Sequence, residues 1–162
     1  MSAADDLKRA IIDEHAQYCA TIADLDQMTL ETEPALGSWP VRDLTAHLTG
    51  WIDALLATAA HGLGGPAPAH TTISDFDSFN AANVEAARDK DWPAVMAGLD
   101  AAVERAAGEV AFLTNEQLAT EMDFPWGQHG AISRLLAIIP HHHHEHREDV
   151  EKWLAGRVTS DA

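Results

Sequence analysis

The sequence predicts an all-α protein: a four-helix bundle with one short extra helix in the connection between the second and third long helices. Three observations carry this. Apolar residues recur at steps of three and four in four separate stretches of about 20 to 25 residues. Alternating β-branched runs and Asn-Gly or Asp-Gly hairpin turns are missing. No repeat or low-complexity linker divides the 162 residues, so one domain over 1–162, with its core at about 5–156, is expected.

The first helix is expected over about 5–26, with Leu7, Ile11, His15, Tyr18, Ile22 and Leu25 on one face. The second follows "GSWP" and runs over about 41–60, with Leu44, His47, Leu48, Trp51, Leu55 and Thr58 on one side. Pro40 suits its first turn, where an N–H would have no partner anyway. "HGLGGPAPAH" then makes a loop over about 61–72, and a short helix over about 75–89 turns Phe76, Phe79 and Val84 inward. In "DKDWPAV", Asp91 caps a third long helix and Pro93 sits in its first turn. Its stripe is Val95, Leu99, Val103, Ala106, Val110 and Leu113. "EMDFPWGQHG" reads as a loop, and the last helix spans about 131–155. Pro140 falls inside that helix; either it kinks the helix just before a run of histidines, or two shorter helices meet there.

Bulk composition narrows the function classes. A formal charge of −16 disfavours nucleic acid and anionic membrane surfaces as partners. No apolar run reaches membrane-span length, and "MSAADDLKRAIIDEH" lacks the basic start and apolar stretch of a signal peptide. One cysteine, Cys19, excludes an internal disulfide. A cytoplasmic location is the expectation, and an acidic bundle of this size is compatible with a monomer or a homodimer.

Chemistry concentrates in "IIPHHHHEHREDVEKWL", where five of the ten histidines crowd together. Leu135, Ile138 or Ile139, His142, His146, Val150 and Trp153 or Leu154 form one stripe, so His142 and His146 continue the buried face. His144 points away, His141 sits on the flank and His143 on the boundary; a solvated face is expected for these three. Two imidazoles at i and i+4 reach one metal ion together. A third ligand is available in His47, inward between Leu44 and Trp51. Three neutral imidazoles around one divalent ion leave positions open for water or substrate, as in catalytic metal sites. His143 with His146, at i and i+3, is a rival register.

Other residues weigh less. His15 also lies on a stripe and reads as a pocket or core histidine. With Cys19 four residues on, it offers a possible ligand pair, against the plainer reading of Cys19 as a small buried side chain. His61 and His70 flank the Gly/Pro loop and are expected to be exposed. Trp126 is a candidate wall of a pocket, Arg134 a candidate anchor for a carboxylate or a surface residue, and Asp43 a candidate partner for His47 one turn later.

"GSWPVRDLTAHLTGWIDALL", "FDSFNAAN" and "HHHHEHREDVEKWL" together resemble the DinB/YfiT-like superfamily of metal-binding four-helix bundles, over about residues 5–156. That superfamily includes mycothiol-dependent maleylpyruvate isomerases and bacillithiol S-transferases. The resemblance implies a metal triad of His47, His142 and His146, the same three residues the stripes select, in an all-histidine form. It further implies a zinc or nickel ion and a low-molecular-weight thiol such as mycothiol, which the ion activates for S-transfer or isomerisation of small electrophiles. The chain departs from the family in carrying Pro40 where a Ser or Thr cap is common, and no counterpart of the isomerases' further C-terminal domain is expected within these 162 residues. Two alternatives stand beside this reading: a metal-dependent hydrolase using activated water, and a non-enzymatic bundle that binds a small molecule or sequesters metal.

Overall fold

The computed structural model describes residues 2–160. Four long helices carry the chain: α1 (Ala3–Ile22), α3 (Val41–Gly62), α5 (Trp92–Ala111) and α8 (Ile138–Ser160). Shorter elements connect them: α2 (Gln27–Thr32), α4 (Phe76–Glu85), α6 (Asn115–Leu118), β1 (Glu121–Asp123), β2 (His129–Ala131) and α7 (Ile132–Leu136). The expected four-helix bundle is present, and the short helix between the second and third long helices is α4.

The starts of these helices follow their sequences. Ser2 accepts from the Asp5 amide while Asp5 reaches back to the Ser2 amide, a reciprocal cap for α1. Asp75 and Asp91 cap α4 and α5, and Pro93 occupies the first turn of α5. Pro40 is the N-cap of α3, one residue outside the helix, and donates no side-chain cap; Asp43 supplies negative charge in the first turn instead.

Packing sets an uncommon order. α1 lies against α5 and α8, while α3 lies against α5, α7 and α8. The successive long helices α1 and α3 therefore stand diagonally across the core, where the buried Tyr18 hydroxyl meets Thr45 Oγ1 at 2.9 Å. Ile11, Tyr18 and Ile22 of α1, Leu44, Leu48 and Leu55 of α3, Leu99, Val103 and Val110 of α5, and Ile139 and Val150 of α8 are buried together. Arg42 of α3 donates to the carbonyls of Arg88 and Lys90 and so ties down the turn after α4.

Several expectations need correction. The first helix ends at Ile22, and the separate α2 begins at Gln27, where Asp26 accepts from the Thr29 amide. "EMDFPWGQHG" is a hairpin and not a plain loop: β1 and β2 pair antiparallel with Met122 opposite Gly130, and Gly127 at φ 90° makes the turn. Strands of three residues are too short to show a period in the sequence. In α4 only Phe79 is buried; Phe76 is 47% exposed and Val84 half-buried, because this helix packs on α3 along one side only. The last helix divides, and of the two readings of Pro140 the second holds. α7 ends at Leu136, and Pro140 falls in the first turn of α8, where no backbone bond is lost.

Candidate metal centre

His47 reaches the bundle interior through the stripe of α3. Its side chain is buried, 3% exposed, on the face of α3 that also carries the buried Leu44 one turn before it and Trp51 one turn after it. The turn before α3 provides a lid. Gly37 adopts φ 58°, which lets the Trp39 amide return to the Leu36 carbonyl at 2.9 Å. That turn lays the Trp39 ring 5.2 Å from the His47 ring.

The break at Ala137 aims the start of α8 at the same point. His142 Nε2 lies 2.9 Å and His146 Nε2 3.1 Å from His47 Nε2, and the two α8 nitrogens are 2.9 Å apart. These three side chains form a group whose ligand atoms could hold one metal ion. Each Nε2 carries either a proton or a lone pair, so a triangle of such atoms cannot give every edge both a donor and an acceptor. A cation facing three lone pairs removes that conflict. Three nitrogens bound to one zinc at ~2.0–2.1 Å lie roughly 3.3 Å apart in a tetrahedron, a few tenths of an ångström beyond the separations seen here. The donor set therefore fits a divalent ion with a position left over.

Protonation favours ligation as well. Burial, and then the neighbouring His146, hold His47 down to about 3. Burial, followed by His146 and His47, holds His142 down to about 2. His146 is also lowered by burial, against an opposing hydrogen bond to Asp149. All three imidazoles are thus neutral at physiological pH, the state a metal needs. Asp149 Oδ2 lies 3.1 Å from His146 Nδ1; a proton there leaves the Nε2 lone pair free. Sequence reasoning missed Asp149, although its place three residues after His146 was a usable signal. The residue expected in that role, Asp43, pairs instead with Arg42 at 2.9 Å, and His47 Nδ1 is buried with no hydrogen-bond partner among the described residues.

Aromatic rings close the rest. Trp51 stands edge-on to His142 with centroids 5.9 Å apart, and donates its own N–H to Asn80. Trp126, from the hairpin, meets Trp51 at 6.0 Å and Phe76 at 6.4 Å, which extends the aromatic cluster from the triad to the hairpin. Arg134 lies exposed on α7, its stem beside Gly130, and makes no contact with the triad among the described residues. A cavity of about 410 Å³ sits elsewhere, between α3, α4 and α5, lined by Thr49, Gly50, Asn83 and Val95 among others and by none of the three imidazoles.

The remaining histidines sort differently from expectation in one case. His141 is exposed beside Glu145, and the half-buried His144 lies 3.2 Å from Glu14. His143, expected on a solvated boundary, is 1% exposed. Its Nδ1 meets the Ile139 carbonyl at 3.3 Å, and its ring packs against Tyr18 and His15. His143 therefore faces α1, away from the triad, and the rival register through His143 is not the one the structure assembles. His15 joins neither His47 nor the α8 pair; it lies with Cys19 and Asp100 between α1 and α5.

Comparison with known proteins agrees with this architecture. No curated protein sequence matches the chain. Among solved structures, one titled "Sibling Lethal Factor Precursor - DfsB" superposes with a TM-score of 0.80 at 14% identity, covering 97% of this chain and 98% of that one. A second, YfiT from Bacillus subtilis, is described as "a probable metal-dependent hydrolase with an unusual four-helix bundle topology"; it superposes at 0.68 with 17% identity over 93% of this chain and 85% of that one. At such identities the likeness concerns the fold. The sequence itself matches the family model of the DinB superfamily over residues 5–150, and the chain belongs to that superfamily.

Proposed function

We propose that His47, His142 and His146 hold one divalent ion, zinc or nickel, and that the protein is a thiol-dependent S-transferase or isomerase of small electrophilic substrates. The convergence of three neutral Nε2 atoms within 2.9–3.1 Å of one another carries the metal part of this reading. When bound, the ion supplies Lewis acidity, which makes a thiol or a water nucleophilic at neutral pH.

The chain's own residues prepare that chemistry. Asp149 keeps the proton on His146 at Nδ1 and so holds the ligating nitrogen bare. Trp39 and Trp51 flank the triad with apolar surface, which limits water around it and favours a small, partly apolar substrate. Cys19, the only cysteine, lies in a different cluster, so a nucleophilic sulfur has to come from outside. A low-molecular-weight thiol such as mycothiol is the cofactor that the superfamily resemblance implies.

The second reading is a hydrolase, in which water takes the place of the thiol; the description of the YfiT structure favours it. One assay separates the two. Metal-loaded protein is mixed with a low-molecular-weight thiol and a small Michael acceptor, and in parallel with a carboxylic ester. Metal-dependent loss of free thiol supports the transferase; ester cleavage without thiol consumption supports the hydrolase. If neither substrate turns over while the ion stays bound, both enzymatic readings fall.

A further inference from the structure

A second group of metal-type donors lies between α1 and α5, apart from the triad. His15 and Cys19 occupy one face of α1 four residues apart, and Asp100 of α5 reaches them from the side. His15 Nε2 lies 2.8 Å from Asp100 Oδ1 and 3.6 Å from Cys19 Sγ. Both neighbours thus address the same nitrogen. A thiol–imidazole–carboxylate relay would need one partner on each ring nitrogen, as in nucleophilic triads, so this arrangement is not a relay. Three different donor atoms converging on one point is a ligand geometry.

We propose that His15, Cys19 and Asp100 form a second divalent-metal site, with nitrogen, sulfur and oxygen donors and a side open to solvent. Zinc-type ions accept this donor set, at ~2.0–2.1 Å from nitrogen and oxygen and ~2.3 Å from sulfur. The 3.6 Å between Sγ and Nε2 is close to the edge of such a tetrahedron. The carboxylate stands nearer to the nitrogen than a shared ion allows, but the Asp100 side chain is 58% exposed and free to back away. His15, at 14% exposure, is the anchored member.

The independent support is a pair of orphaned nitrogens. His143 Nδ1 faces the Ile139 carbonyl; a proton there makes its Nε2 a bare acceptor, and that Nε2 is buried with no partner among the described residues. His15 Nδ1 is likewise buried with no partner among the described residues. If His15 binds an ion through Nε2, its proton sits on Nδ1 and makes that atom a donor, while the ring packs edge to face with His143, whose centroid is 5.6 Å away. The tautomer that ligation demands is the one that makes the two orphans complementary. His143 therefore packs against His15 with an acceptor in reserve for that proton, the kind of outer partner metal-bound imidazoles use, and it follows His142 directly in the chain.

Ion binding here displaces the Cys19 thiol proton to solvent as the sulfur–metal bond forms. Cobalt(II) is the probe, because a thiolate bound to it gives a charge-transfer band in the near ultraviolet that imidazoles do not. Titration of metal-free protein should bind two cobalt ions and develop that band. Cys19→Ser should abolish the band and one ion; Asp100→Ala, at an exposed position, should weaken that same ion at least tenfold; His47→Ala should remove the other ion and keep the band. A single cobalt ion with no thiolate band in the wild-type chain overturns the second site and leaves the triad standing. A single cobalt ion with the thiolate band in the wild-type chain, unchanged by His47→Ala, would overturn the proposed function and leave this site standing.

Discussion

Asp149 sits one turn beyond His146 on α8 with its carboxylate 3.1 Å from the imidazole Nδ1, while Nε2 of the same ring looks at His47 and His142. One ring is thus held from behind and offered in front. The carboxylate settles which nitrogen carries the proton, and the helix settles where the other one points.

Asp149→Ala should therefore weaken metal binding roughly 10- to 100-fold without removing the site, the cost typical of losing an outer partner of a ligating histidine. Zinc affinity by competition with a chromogenic chelator measures it. Asp149 is half-buried near the surface of α8, so the melting temperature of the metal-free protein should change little. An affinity equal to wild type would mean that His146 keeps its tautomer without help.

His47→Ala and His143→Ala should behave oppositely in metal content. The first removes a triad nitrogen and should leave the triad without its ion. The second takes away a ring that faces α1 and should keep the triad ion, yet it opens a void beside Tyr18 and His15 that costs about 1–3 kcal/mol of stability. Metal analysis paired with urea denaturation reads both quantities. Loss of the triad ion in His143→Ala would restore the register that the structure rejects.

Acid should unfold the metal-free protein early. His47 and His142 are held neutral, at about 3 and about 2, whereas each takes a proton near 6.5 once unfolded. The unfolded chain then binds more protons below 6.5, so stability is complete above that value and falls as the pH drops toward the folded values. The melting temperature of the metal-free protein should decline steeply between pH 6.5 and 4. The zinc-bound form should track it at a higher temperature and release its ion over the same range, because protons and metal compete for the same lone pairs. A flat profile across that window would show that the imidazoles are hydrated in the metal-free state.

Tyr18→Phe tests the diagonal of the bundle. The hydroxyl meets Thr45 Oγ1 at 2.9 Å, and Thr45 Oγ1 donates to the Val41 carbonyl at 2.8 Å. Removing the phenol oxygen should cost about 0.5–1.5 kcal/mol in chemical denaturation, since Thr45 keeps its backbone bond. Metal affinity should not move. A change in both would mean that the α1–α3 diagonal sets the aim of His47.

Much of this protein was legible in its amino-acid order. The stripes of α3 and α5 are buried as the three- and four-residue spacing requires, and Asp75 and Asp91 cap where turn chemistry puts them. His47, His142 and His146 were recoverable because each continues an apolar stripe, and a stripe is a local property of one helix. The hairpin at Glu121–Ala131 and the short α2 left no such trace, since each element is too short for its pattern to repeat more than once.

What tertiary structure decided are the relationships that depend on a second element. His143 is buried because α8 packs against α1 as well as α3, and a helix with two neighbours buries more of its circumference than one stripe shows. Asp43 turned to Arg42 instead of His47, and His15 found Asp100 eighty-five positions away. Pro140 ends no helix because the chain had already broken at Ala137. Sequence by itself determined the long helices and the inward aim of His47, His142 and His146, since periodicity and capping act within a turn or two. Only the packing of α1, α3, α5 and α8 decided which inward groups meet, since that depends on contacts between residues far apart along the chain.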